Sequence, residues 1–174
     1  QTIPEDFNEK VWYGYMTTVN VGISDMKIVH SPEMLISYAL GSCVGICIID
    51  KGVRIAGMAH IMLAYNNDRD KVNIFKYADT GITEMVRKME HLGAVRQRMI
   101  AKIAGGAKMF EIKGSSTFGS IGERNIASAK ETLARLNIKI ISEDVGENYG
   151  RTIIFDSTTG DLTIKSYGKQ LKII

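Results

Sequence analysis

The chain has 174 residues, of which 45% are hydrophobic and 24% are charged, and its formal net charge is +3. This length suits one domain, and this composition excludes wholesale disorder and a disulfide-stapled secreted scaffold. The small, scattered positive charge argues against binding to nucleic acid, and no apolar run is long enough to span a membrane. With two cysteines and no signal-peptide pattern, the sequence predicts a cytoplasmic protein without membrane insertion.

The first fifteen residues differ from the remainder of the chain. They contain the single tryptophan, Trp12, and they precede Met16. We therefore expect a leading extension at residues 1–15, whose role the sequence does not define, followed by one domain at residues 16–174.

The first part of this domain is predicted to consist of β-strands. Short apolar runs bounded by turn residues are typical of buried strands. The predicted strands cover residues 19–21, 26–29, 34–40, 43–49 and 53–63. The turn residues Asp50–Gly52 join the last two runs, which predicts a buried antiparallel hairpin.

Two long helices and further strands are predicted in the remainder. Apolar residues at three- and four-residue spacing indicate a helix over Ile74–Leu92 that ends at Gly93 and buries its methionines. Ser120 and Glu123 form a capping-box pattern, which predicts a second helix running to about Leu136. Further strands are expected at residues 99–104, 138–141, 152–155 and 162–164. These strands and the two long helices indicate an α+β (layered α/β) domain.

The two cysteines occupy different settings. Cys47 lies within an apolar run and is expected to be buried and inert. Cys43 follows the turn residues Gly41 and Ser42, where an exposed thiol with neighbouring backbone N–H groups suits a nucleophile. A cysteine after a glycine turn is nevertheless more often structural. Because the histidines are isolated, no zinc or other metal site is predicted.

His60 lies on an apolar face of the next predicted strand, where a lone histidine is more often a core residue than a catalytic one. The predicted hairpin favours a catalytic role for His60. Cys43 and His60 lie at nearly equal distances along the chain from Lys51, so pairing of the two strands places them roughly opposite each other. A thiol and an imidazole would then be within reach of one another.

Six motifs, in order, resemble the CheD family, the chemoreceptor glutamine deamidases of bacterial and archaeal chemotaxis. The resemblance covers roughly residues 16–164. The motifs are ALGSC at 39–43, GMAH at 57–60, KYADT at 76–80, KIAGGA with MF at 102–110, IGERN at 121–125 and EDVG at 143–146.

The resemblance implies a β-sheet sandwich flanked by two long helices, similar to deamidases of the cytotoxic necrotizing factor type. It implies a protein-glutamine glutaminase without a cofactor, in which Cys43 is the nucleophile and His60 its partner. Gly41 and Ser42 would form the oxyanion and substrate-binding segment. Ser37 stands where the family usually has a threonine, so we expect it to be the third catalytic residue, on a strand lying beside the Cys43 strand.

The resemblance also implies partners. These are the cytoplasmic domains of chemoreceptors, whose glutamines would become glutamates, and CheC, a phosphatase that the family binds and stimulates. Two alternatives stay open, namely a non-catalytic CheC-binding regulatory module and a receptor methylesterase using the same nucleophile. The sequence departs from the family at Ala39 and Glu147, which occupy positions where glycine is common.

Overall fold

Two β-sheets stack face to face in the computed structural model, and two α-helices cover the outer face of one sheet. The structure describes residues 17–109 and 119–174. The predicted leading extension, residues 1–15, therefore lies outside the described residues. Within the described part, this layered α+β architecture confirms the fold class predicted from the sequence.

The elements are numbered in chain order. The first sheet consists, in spatial order, of β1 (Thr18–Asn20), β3 (Met34–Leu40), β8 (Arg151–Asp156), β9 (Leu162–Lys165) and β10 (Lys172–Ile173). The second sheet consists of β2 (Asp25–His30), β5 (Ile55–Ile61), β4 (Val44–Asp50), β6 (Met99–Gly105) and β7 (Lys139–Val145). The helices are α1 (Ala78–His91) and α2 (Ile121–Arg135), and short 3₁₀ turns cover Ile74–Lys76 and Arg96–Arg98. Each of the nine predicted strand ranges corresponds to a strand in the described residues, and only β10 was not predicted, because its two residues are too few to give an apolar pattern.

The predicted hairpin forms the centre of the second sheet. β4 and β5 pair antiparallel from Asp50 opposite Ile55 to Val44 opposite Ile61, and every residue of both strands is buried. Alternate side chains of β4 enter two different cores, since successive side chains point to opposite faces of a sheet. Ile46 packs toward the helices, whereas Cys47 packs between the two sheets.

Helix α1 begins later than the sequence pattern predicts. Tyr77 has an extended backbone and bridges to Leu63, whose carbonyl accepts the Ala78 N–H. This pairing interrupts the predicted helix and leaves Ile74–Lys76 as a separate 3₁₀ turn. The helix then runs to His91, with Met85 and Met89 fully buried as predicted.

Helix α2 begins as its capping pattern predicts. The Ser120 side chain accepts a hydrogen bond from the Glu123 backbone N–H at 3.2 Å. This bond satisfies one of the N–H groups that a helix leaves without an internal partner at its first turn.

The expectation that β3 lies beside β4 was wrong. The two strands belong to different sheets, and residues 41–43 carry the chain from one sheet to the other. Leu40 pairs with Arg151 of β8 after a β-bulge, whereas Val44 pairs with Ile61 and Gly105. A short connection joins neighbouring strands of one sheet only when those two strands pair with each other. Here β3 pairs with β1 and β8, whereas β4 pairs with β5 and β6.

The backbone at Ala39 supports a stability prediction. Ala39 is exposed and has a φ of 55°, in the left-handed region that costs a residue with a Cβ about 1–2 kcal/mol. We expect Ala39→Gly to raise the free energy of unfolding by about 0.5–1 kcal/mol, the balance between relieved strain and the entropy of glycine.

Chemical denaturation measures this change, and Ala127→Gly is the matched control. Ala127 is exposed within α2, where the same substitution should lower stability by about 0.5–1 kcal/mol. Equal destabilisation by both substitutions would contradict the strain at Ala39.

Candidate active site

His60 is the centre of a polar cluster between the two sheets. It lies on β5, is 1% exposed, and alternates with Ala59 and Ile61, which pack toward the helices. Its side chain therefore points toward the first sheet. There it meets Ser37 of β3, whose side chain is fully buried.

The hydrogen bonds of Ser37 determine which nitrogen of His60 carries the proton. The Ser37 Oγ donates its only proton to the Val21 carbonyl oxygen at 2.6 Å, because a carbonyl can only accept. The contact of 2.7 Å between Ser37 Oγ and His60 Nδ1 must therefore have the ring nitrogen as donor. In the neutral ring Nε2 then carries the lone pair, which is the form that a general base requires.

Burial sets the charge of this imidazole. It lowers the pKa of His60 below the ordinary value of 6.5, and the nearby Val21 carbonyl partly opposes the change. His60 Nε2 is buried and meets no hydrogen-bond partner within residues 17–109 and 119–174. The ring is thus neutral at pH 7, with its basic nitrogen uncommitted among the described side chains.

Cys43 directly precedes β4, the strand next to β5, and is displaced diagonally from His60. Gly45 is the residue directly opposite His60, and Cys43 is two residues before Gly45, on the same face. Diagonal neighbours on paired strands are separated by roughly 7–8 Å between Cα atoms. The register therefore places Cys43 diagonally to His60 rather than directly opposite it, because the turn at residues 51–54 lies further along the chain than predicted.

The two thiols differ in exposure, as expected. Cys47 is fully buried, and burial raises the pKa of its thiol strongly. Cys43 is only partly buried and lies at the margin of the core between the sheets. Burial also raises the pKa of Cys43 above its ordinary value of 9.0, while a hydrogen bond from its own backbone N–H opposes the change. At neutral pH the site therefore contains a protonated thiol and a neutral imidazole.

The segment Gly41–Cys43, which we call the nucleophile loop after the role predicted for Cys43, accepts hydrogen bonds at all three of its carbonyl groups. Ala107 N–H donates to the Gly41 carbonyl at 2.9 Å, and Gly106 N–H donates to the Cys43 carbonyl at 2.8 Å. The Ser42 carbonyl accepts from Asn125 Nδ2 at 2.9 Å. The predicted oxyanion residues Gly41 and Ser42 thus lie in a loop of defined geometry.

Sequence reasoning missed two contributors to this arrangement. The Val21 carbonyl orients Ser37, but a backbone group has no side-chain signal in a sequence. Asn125 lies within the IGERN motif, yet helical periodicity shows only that it faces inward. Its two polar contacts become visible only in the folded chain.

Two other kinds of feature are absent from the described residues, namely a cluster of metal ligands and a membrane-spanning helix. Across residues 17–109 and 119–174, His, Cys, Asp and Glu side chains form no group of three or more suited to a metal ion. Neither α-helix in this part of the chain is long and apolar enough to cross a bilayer.

Fold and site together define a layered α+β domain that brings a thiol, an imidazole and a hydroxyl to one end of the interface between its sheets. The family model described as CheD chemotactic sensory transduction matches residues 62–166. The chain belongs to the CheD family.

Curated relatives resemble nearly the whole chain. Proteins from Syntrophomonas wolfei and Caldanaerobacter subterraneus are each 46% identical over 157 residues, covering 90% of this chain and 98% and 97% of theirs. A protein from Lachnoclostridium phytofermentans is 45% identical over the same length, with 90% and 98% coverage. All three carry the name "Probable chemoreceptor glutamine deamidase CheD".

A solved structure shares the fold at low sequence identity. The crystal structure of a Neisseria meningitidis protein of the DUF152 family superimposes with a TM-score of 0.53 at 9% identity. The match covers 84% of this chain and 77% of that protein. This likeness concerns the fold alone.

The buried state of His60 predicts how stability depends on pH. The unfolded histidine binds a proton below about pH 6.5, whereas folded His60 resists protonation because its pKa is lowered. The free energy of unfolding is therefore highest above that pH. It decreases as the pH falls, with a slope of up to about 1.4 kcal/mol per pH unit. Urea denaturation between pH 5 and 8 measures it, and His60→Asn should flatten the curve.

Replacement of the exposed His91 by asparagine controls for the loss of one histidine. If His91→Asn flattens the curve as much as His60→Asn, burial of His60 is not the cause.

Proposed function

We propose that this protein is a chemoreceptor glutamine deamidase that uses Cys43 as its nucleophile and His60 as its general base. The observation that carries the proposal is the state of His60, a buried neutral imidazole whose Nδ1 is held by Ser37. Cys43 lies two residues before Gly45, which is paired with His60 on the neighbouring strand. The names of the relatives support the substrate class.

The first chemical step forms a thioester and releases ammonia. The Cys43 sulphur attacks the carboxamide carbon of a receptor glutamine while its proton passes to His60 Nε2. Backbone N–H groups of the nucleophile loop stabilise the oxyanion, each by roughly 3 kcal/mol in comparable sites. The C–N bond then breaks, and the imidazolium returns its proton to the leaving ammonia.

The second step regenerates the enzyme. A water molecule, deprotonated by His60, attacks the thioester carbon, and the C–S bond breaks. The sulphur recovers its proton, and the product side chain is a glutamate. Ser37 contributes by keeping the proton on Nδ1, so that Nε2 faces each proton transfer as a base.

CheC is the second partner we propose, on the basis of family membership. A protein that both deamidates receptors and stimulates a phosphatase would act at two points of the adaptation system. The methylesterase and the purely regulatory module are outcomes that the following test separates.

Replacement of the two cysteines tests the nucleophile. Cys43→Ala should abolish deamidation and leave the fold intact, because the residue is only partly buried. Cys47→Ala should keep the activity and cost about 1 kcal/mol of stability, because it opens a small cavity in the core. Mass spectrometry of a receptor cytoplasmic fragment measures a gain of about one dalton per deamidated glutamine.

Other outcomes identify the alternatives. A loss of about fourteen daltons from methylated receptor would indicate a methylesterase. Stimulation of CheC with no change in receptor mass would indicate a regulatory module. Equal loss of activity in both cysteine variants would contradict the assignment of Cys43.

Replacement of Ser37 tests the orienting hydrogen bond. Ser37→Ala should lower kcat roughly 10- to 100-fold, since a neutral hydroxyl orients an imidazole less strongly than a carboxylate does. Ser37→Thr keeps the hydroxyl and should leave kcat nearly unchanged. Full activity of Ser37→Ala in the receptor assay would reduce the catalytic set to Cys43 and His60.

A further inference from the structure

The nucleophile loop presents three consecutive carbonyl groups, and each is engaged by a different donor. Ala107 and Gly106 supply backbone N–H groups to the first and third carbonyls. The middle carbonyl, that of Ser42, is engaged by the Asn125 side chain. Asn125 is thus the only side chain among these three donors.

Helix α2 brings Asn125 to the loop through a close backbone contact. At Gly122 a Cβ atom would collide with the Gly106 carbonyl, so glycine is required for the helix to lie this near. Asn125 follows one turn later and is fully buried. Because Gly106 is itself bonded to the Cys43 carbonyl, this contact places α2 close enough to the loop for one side chain to reach it.

The contacts of Asn125 identify it as a donor. Its Nδ2 donates to the Ser42 carbonyl at 2.9 Å and to the Met62 carbonyl at 2.8 Å. Both partners are carbonyl oxygens, so only the NH₂ group can face them. The Asn125 Oδ1 is buried without a partner in the described part of the chain. An unpaired buried acceptor is costly, which argues that this amide is not present merely to fill space.

The bond to Ser42 controls the direction of the Cys43 N–H. The peptide between these residues is trans, so its N–H points away from its carbonyl. A donor that holds the Ser42 carbonyl on one side consequently holds the Cys43 N–H on the opposite side. That N–H lies beside the Cys43 sulphur, where an oxyanion would form on attack.

The bond to Met62 ties the same amide to the strand that carries His60. Met62 directly follows Ile61, the last residue of β5, which pairs with Val44. Asn125 therefore joins the nucleophile loop to the end of β5.

We propose that Asn125 is a positioning residue that aims the Cys43 backbone N–H at the developing oxyanion. This inference rests on the proposed function, since an oxyanion forms only if Cys43 attacks an amide. Removal of the Asn125 amide should leave the thiol and His60 in place but release the peptide that carries the donor.

Two reactions of Cys43 separate this role from a purely structural one. Deamidation passes through an oxyanion, whereas alkylation by iodoacetamide displaces iodide from a saturated carbon and needs no oxyanion donor. Asn125→Ala should lower kcat for the receptor fragment roughly 10- to 100-fold, with KM nearly unchanged. Its rate of Cys43 alkylation at neutral pH should stay within about twofold of wild type.

Ser128→Ala is the matched control. Ser128 is also buried on α2 and donates to a backbone carbonyl, that of Ala64, at 2.6 Å. Its removal costs a similar hydrogen bond without touching the nucleophile loop, so both rates should stay near wild type. Asn125→Ser, whose hydroxyl can donate only one bond, should give the same split in smaller degree and serves if the alanine variant does not fold.

Each outcome either supports the proposal or overturns it. Slower deamidation with retained alkylation supports it. Retention of both rates in a folded Asn125 variant overturns it, and so does an equal loss of both, which would indicate a displaced thiol. If wild-type protein and Ser128→Ala also fail to deamidate the receptor fragment, the proposed function fails instead.

Discussion

The passage of the chain from the first sheet to the second at Gly41–Cys43 is the constraint on which the site depends. A chain that leaves one sheet and enters another must expose backbone polar groups in a region with little water, and such groups need partners. Here all three carbonyls of the loop find donors, which are the backbone N–H groups of Gly106 and Ala107, directly after β6, and the side chain of Asn125 on α2. Three hydrogen bonds therefore hold the crossing, and Cys43 lies directly before β4, beside β5.

A polar cluster inside an apolar interface carries an energetic cost that the structure limits by sharing hydrogen bonds. Ser37 satisfies the Val21 carbonyl and His60 Nδ1 with one hydroxyl group. A neutral imidazole avoids the larger cost of a buried charge, which explains why burial lowers its pKa. In this neutral ring Nε2 carries the lone pair that the proposed base needs, so stability and the proposed chemistry favour the same protonation state.

Backbone angles and hydrogen bonds explain the residues at which the sequence departs from the family pattern. Ala39 and Glu147 both have positive φ angles, of 55° and 61°. Glycine adopts this conformation without strain, which fits the glycine that the resemblance leads us to expect at both positions. Ser37 lacks the methyl group of threonine but retains the hydroxyl that both hydrogen bonds use.

Local patterns determined much of this protein. Apolar runs and their turn predicted the β4–β5 hairpin and thereby brought Cys43 near His60, because pairing across a short turn depends on neighbouring residues alone. The Ser120 cap and the burial of Cys47 were predictable for the same reason. By contrast, the sequence wrongly suggested that β3 lies beside β4. Only the stacking of the two sheets decided that Ser37 approaches His60 from across the core, and only helix packing decided that Asn125 reaches Ser42. These contacts join residues far apart in the chain, so they depend on the summed packing of the whole domain rather than on any local pattern.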